Sequence, residues 1–189
     1  MQIRKFGMTC SILVVFIALA ACQSTPTAYK SSRAYELDRE AKASLEKLYA
    51  ENGKARDLRT RAKAILTFPS MIKAGFLVGA QYGIGVLTNL NGRTIGYYNS
   101  TAGSFGYQAG IKGFHYSLFL MSDRAVASLE TAAGLELGVG PSFVIIKKGF
   151  GKVMSTTSLD KDIYAFVYDM KGIFAGAGIE GTKVTRVHP

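Results

Sequence analysis

Apolar residues recur with a helical period in the first part of the chain. Leu37, Ala41, Leu45 and Leu48 stand three or four apart, joined by Ala34, and predict a helix over residues 33–50. Asp38 and Lys42 are spaced on it for an i,i+4 ion pair. Asn52-Gly53 is a helix stop. A second helix is expected over residues 54–66, where Ala55, Leu58, Ala62, Ile65 and Leu66 fall within an arc of roughly 100°. Pro69 then breaks the pattern and the period changes to two. From Phe76 to Val86 every second residue is apolar: Phe76, Val78, Ala80, Tyr82, Ile84, Val86. Such alternation predicts a strand with that face buried. Glycines 75, 79, 83 and 85 occupy the other face and imply curvature or close backbone approach.

The remaining pattern is strand-like. Asn91-Gly92 is a type I′ hairpin signal. Ser122 is the expected N-cap of a short helix anchored by Val126 and Leu129, with Gly134 just past its end. The β region carries an internal duplication. Gly75–Leu87 aligns with Gly134–Ile146, and Ile95–Gly113 with Ile163–Gly181, bringing AGIKG (Ala109–Gly113) onto AGIEG (Ala177–Gly181). The fold class is therefore α+β: two N-terminal helices, then a duplicated, curved antiparallel β-sheet, barrel- or sandwich-like, with one short helix between the halves. In segments, residues 33–67 are the helical part, 71–121 the first β half, 122–133 the short helix and 134–189 the second β half.

The extreme N-terminus reads differently. Arg4 and Lys5 precede a short apolar run, Ser11 to Leu19, and Leu19-Ala20-Ala21-Cys22 forms a lipobox. Residues 1–21 are expected to be a lipoprotein signal peptide and Cys22 the acylated residue. Residues 22–32 are expected to form a polar, flexible tether. Cys10 leaves with the leader, so the mature domain is expected to contain no thiol, disulfide or cysteine metal site. Gln23 follows the cysteine, and by analogy with Gram-negative sorting this favours the outer membrane, facing the periplasm, over the inner one.

The charge is the next constraint. The chain has 23 Lys and Arg against 13 Asp and Glu, a net +10. Cations flank the apolar arc of the second helix: Arg56, Arg59 and Lys63 on one side, Lys54 and Arg61 on the other, with Asp57 as its one acid. The apolar arc suits packing on the sheet, while the basic shoulders can face lipid. Lys73 lies just beyond Pro69, and Lys147, Lys148 and Lys152 bracket Phe150 on an expected turn. That turn fits an anionic surface and equally a solvated hairpin with protective edge lysines.

Candidate chemistry is sparse. His115 and His188 have no H-x-x-x-H partner and no nearby acidic cluster, so neither is assigned to a metal. Gly176–Gly181 matches G-x-G-x-x-G, but no helix can follow it before the chain ends, which rejects a dinucleotide fold. No Walker loop, G-x-S-x-G elbow or pair of neighbouring carboxylates is present. No cofactor, catalysis or nucleic-acid binding is expected.

Three blocks carry a family resemblance: FPSMIKAGFLVGAQYGIG (Phe68–Gly85), GSFGYQAG (Gly103–Gly110) and YAFVYDMKGIFAGAGIEGTKVTR (Tyr164–Arg186). Together they resemble the SYLF domain family. The resemblance implies a lipid-binding module, with phosphoinositides the best-known ligands and actin association in some fungal members. Bacterial members are often small lipoproteins. The family's basic lipid-binding helix maps loosely onto Arg56, Arg59, Arg61, Lys63 and Lys73. Leu135 stands where an aromatic is common, and no acid lies near Gly140, departures that bear on the ligand surface. The expectation is a lipid-anchored envelope protein that binds anionic lipid head groups without catalysis; the alternative is an interaction module for an envelope protein or polymer.

Overall fold

The computed structural model describes residues 26–131, 133–137, 142–147 and 161–189. Its elements are α1 (Pro26–Glu51), α2 (Gly53–Arg59), β1 (Ala64–Asn89), β2 (Thr94–Leu120), α3 (Asp123–Glu130), β3 (Leu135–Leu137), β4 (Phe143–Lys147) and β5 (Ile163–Val187). The fold is α+β, with a curled sheet forming a half-barrel and two helices preceding it.

Three long strands make the sheet, in the order β1-β2-β5. β1 and β2 form a hairpin, and β5 pairs antiparallel with β2 along nearly its whole length. The hairpin loop spans residues 90–93, closed by Asn89 N–H donating to the Arg93 carbonyl at 3.0 Å. Positive φ occurs there at Gly92 alone, so the loop is not the two-residue type I′ turn expected. The far side of β5 is shared by β3 at one end and β4 at the other. The duplicated stretches in β2 and β5 thus become two long strands paired with each other. Their upstream partners diverge: β1 is one long antiparallel strand, whereas β4 pairs with β5 in parallel, so the sheet is mixed.

α1 buries Leu37, Ala41 and Leu48, as its period requires, and begins at Pro26 rather than Arg33. Asp38 does not pair with Lys42. It accepts from Thr94 Oγ1 at 3.0 Å and from the Tyr97 hydroxyl, joining α1 to β2. Asn52 ends α1 and caps α2, its side chain accepting from Ala55 N–H at 3.1 Å. α2 stops at Arg59, shorter than expected. Lys63 N–H already bonds the Leu120 carbonyl at 2.7 Å, opening the β1–β2 ladder. Residues 64–68 are buried on both faces: Leu66 and Phe68 enter one core cluster and Ile65 another. A run apolar on both sides has no alternation, and periodicity alone does not separate such a strand from a helix.

The expected face of β1 is kept at one end, where Ile84 and Val86 are covered by Leu37 and Ala41 of α1. Over the distal half of the strand it is inverted: Phe76, Val78, Ala80 and Tyr82 point outward, and the glycine side points in. The reason is that β1 folds over itself. A Cβ on Gly85 would stand 2.6 Å from the Phe68 ring, so the late half of β1 lies directly on the early half. Leu77, with φ 58°, sits at the bulge between Phe76 and Val78. In this half of the sheet the interior is polar. Gln81, Ser104 and Gln108 are buried there, and Lys73 is buried in an ion pair with Glu180.

Candidate functional site

Two polar regions of the described chain are candidates. The first is the corner where α1, α2 and the start of β1 meet. Arg56 donates to the Ala50 carbonyl and, more closely, to that of Tyr49, capping the end of α1. The Arg59 guanidinium lies 5.0 Å from the centroid of the Tyr49 ring. Lys54 lies 5.4 Å from that of Tyr164. Lys63 pairs loosely with Asp123 at 3.6 Å, and Arg61 is exposed. The fold therefore brings five of the basic residues singled out in the sequence to one corner. Arg61 and Lys63 follow α2 instead of riding on it. Burial of the Tyr49 ring beneath these cations pushes its hydroxyl up to about 12.

Lys73 does not join this corner. It is 8% exposed, paired with Glu180, and 5.0 Å from the centroid of the Phe174 ring, so it is unavailable to a lipid head group. Lys147 ends β4. Lys148, Lys152 and Cys22 lie outside the described residues.

The second region is a cleft of about 430 Å³ between α1, β1, β2 and β5, lined by Glu40, Ser44, Lys47, His115, Asp169 and Lys171 among others. Ser44 Oγ is 2.8 Å from His115 Nδ1 and 2.8 Å from the Tyr168 hydroxyl. His115 Nε2 is 3.4 Å from Asp169, which also binds Lys47 at 2.8 Å. Tyr168 continues the chain to Ser117 at 3.0 Å. A bulge between Gly113 and His115 and the left-handed backbone of Asp169, φ 49°, lie at this place. Burial pulls the imidazole below its ordinary pKa despite Asp169. The Lys47 ammonium holds the Asp169 carboxyl below its usual range. Ser44 Oγ and His115 Nδ1 share one hydrogen bond, and Nε2 faces the Asp169 carboxylate.

Serine, histidine and aspartate stand here in the order of a nucleophilic triad. A serine nucleophile needs an oxygen open to substrate. Ser44 is 3% exposed, and its oxygen is engaged by both His115 and Tyr168. What the cluster does is fasten α1 to the middle of the sheet. Sequence reasoning missed it because Ser44, His115 and Asp169 are far apart in the chain and share no motif. Ser44 on the apolar side of α1 was the one available signal.

Residues 101–188 match a family model described as Ysc84, Las17-binding protein actin regulator. This segment of the chain is thus similar to the Ysc84 type. The match starts inside β2 and ends after β5, a little under half the chain. The Ysc84-type segment holds two of the three resembling blocks, Gly103–Gly110 and Tyr164–Arg186, together with His115 and Asp169 of the cleft. The basic corner and the Phe68–Gly85 block precede it. A search of the curated proteins found no match. The Ysc84, or SYLF, type is one of binding domains.

Proposed function

We infer that this protein is a non-catalytic lipid-binding module of an envelope lipoprotein, directed to anionic head groups by the basic corner. The observation that carries the reading is the exposed set Arg56, Arg59, Arg61 and Lys63, gathered where α1 ends and β1 begins. Each cation brought near an anionic bilayer is worth about 1 kcal/mol. Two of them are already oriented, Arg56 by helix carbonyls and Arg59 by Tyr49, which reduces the ordering cost of binding.

The test is flotation on vesicles of protein produced without its leader, and so not acylated, since an acyl anchor would bind any bilayer. Arg59→Gln, Arg61→Gln and Lys63→Gln are combined, leaving Arg56 to cap α1. Binding to anionic vesicles should fall at least about tenfold, since roughly 1.4 kcal/mol is a decade. Zwitterionic vesicles should hardly distinguish variant from wild type. Equal flotation of both proteins on anionic vesicles would refute the reading.

Acylation at Cys22 and an outer-membrane location belong to the same proposal, on the strength of the lipobox and Gln23. Cys22→Ser should accumulate as precursor without the acyl mass shift. A wild-type protein that is processed normally but lacks that mass would contradict it.

A protein partner is the second reading. β1 ends the sheet order, so one edge of a 26-residue strand has no sheet neighbour among the described strands. Such an edge can accept an added strand. The matched family's description, a Las17-binding actin regulator, also concerns protein partners.

A further inference from the structure

The outward face of the distal sheet is apolar across three strands. Phe76, Phe105, Tyr107 and Ile173 are between 72% and 88% exposed, and Val78 and Ile111 are more than 60% exposed. The register makes them one surface. Val78 stands opposite Phe105, Ile111 stands between Ala74 and Ile173, and Ala109 joins Phe76 to Ala175. A contiguous apolar face of this kind on a soluble domain marks an interaction surface.

Four polar side chains of this half, Lys73, Gln81, Ser104 and Gln108, are turned inward. Lys73 pairs with Glu180, the Ser104 hydroxyl and the Gln108 amide bond each other, and Gln108 also donates to the Leu77 carbonyl. Apolar outside and polar inside is the pattern of strands that face hydrocarbon. The central strand, β2, pairs with β5 throughout this half and with β1 on either side of a bulge at residues 106–108.

Charge identifies the occupant. Lys171 and Lys183 are exposed on the same side of β5 as Ile173, one at each end of the apolar band. Each is in a long surface ion pair, Lys171 with Asp169 at 3.8 Å and Lys183 with Glu136 at 3.6 Å, that leaves the ammonium open to solvent. They lie roughly 40 Å apart along an extended strand. A second copy brought face to face would oppose these lysines with its own and join two chains that are each net positive. An anionic bilayer would meet both lysines with opposite charge.

We propose that this face inserts into the acyl boundary of an anionic bilayer, with the sheet lying in the plane of the interface and Lys171 and Lys183 reaching the head groups. It does not cross the membrane, because the outer edges of β1 and β5 here have no partner among the described strands and require water or head groups. This deepens the lipid reading and rests on it, but uses a different surface from the basic corner.

The chain contains no tryptophan, so single reporters are unambiguous. Phe105→Trp and Ile173→Trp place one on the face, and Tyr35→Trp places one on exposed α1. Each is mixed with phosphatidylglycerol–phosphatidylethanolamine vesicles whose acyl chains carry bromine. Both face reporters should shift to the blue and lose about half their emission relative to unbrominated vesicles, as insertion to the acyl boundary requires, while the α1 reporter should not. Combined Phe76→Ser, Phe105→Ser and Tyr107→Ser should keep the fold and partition at least about tenfold less.

Flotation on anionic vesicles without quenching at either face position overturns insertion and leaves the basic corner standing. Quenching that is equal on zwitterionic vesicles supports insertion and removes the head-group reading. Absence of both flotation and quenching overturns both. A face reporter already buried in buffer also overturns insertion: concentration dependence would reveal a second copy, and its absence another segment of this chain.

Discussion

Asp162→Ala is expected to cost about 3 kcal/mol of stability at pH 7 by urea unfolding, the range for a hydrogen-bonded charge removed from its partners. The carboxylate joins three segments. It accepts from the Ser122 hydroxyl at 2.6 Å, from Ser142 N–H and Oγ at 2.9 Å each, and pairs with Arg124. Ser122 is also the N-cap of α3, accepting from Ala125 N–H at 3.2 Å. Loss of Asp162 therefore loosens the start of α3, the entry to β4 and the entry to β5 together. The Ser122 hydroxyl, followed by Arg124, holds this carboxyl well below the usual carboxylate range. A depressed folded-state pKa stabilises fully above the unfolded value of about 4, and the contribution is lost as the pH falls from there toward the folded value. The stability gap between wild type and Asp162→Asn should accordingly be constant from pH 7 to about 5 and shrink below about 4. A loss under about 1 kcal/mol for Asp162→Ala, or a gap unchanged in strong acid, would show that this hub carries little.

The inverted face of β1 gives the second large effect. Gly85→Val should destabilise by roughly 3 kcal/mol, because the new side chain must displace the fully buried Phe68 ring, itself stacked on Tyr116 at 6.0 Å. For a chain of this size that lowers Tm by about 6–12 °C. Phe76→Ser, in the same strand, should shift stability by no more than about 0.5 kcal/mol, because the ring points away from the core. Differential scanning calorimetry on the two variants separates the alternatives. If the alternating apolar residues formed the core, the order of the two effects would reverse.

That reversal shows where sequence patterning reaches its limit. Alternation from Phe76 to Val86 established a strand and a two-faced sheet. It did not tell which face met the core, since an outward apolar face and an inward one have the same period. The sign came from tertiary contact, the late half of β1 lying on Phe68 and Met71. The helix on Leu37, Ala41 and Leu48, the N-cap at Ser122 and the α+β class were legible because each depends on local spacing. The end of α2 was not, because residues 64–68 are apolar on both sides. Among site residues, the basic corner was visible as a local cluster of charge. The burial of Lys73 was not, because its partner Glu180 lies on another strand. The Ser44–His115–Asp169 cluster was hidden for the same reason, assembled by three elements with no common motif.

The position of β5 sets the order in which the chain can become stable. It occupies Ile163–Val187 and lies between β2 and the two short strands, so β3 and β4, which precede it in the chain, have no sheet to join until it is made. Before it arrives, β1 and β2 are a lone two-stranded ribbon, marginal in water. Closure of the sheet then demands contacts between residues as distant as Tyr97 and Val187, a topology that folds slowly. A chain emerging N-terminus first thus cannot close this sheet until β5 is free. Truncation before β5 would therefore remove the shared partner of β2, β3 and β4 at once, so that the whole closure of the sheet hangs on this one segment.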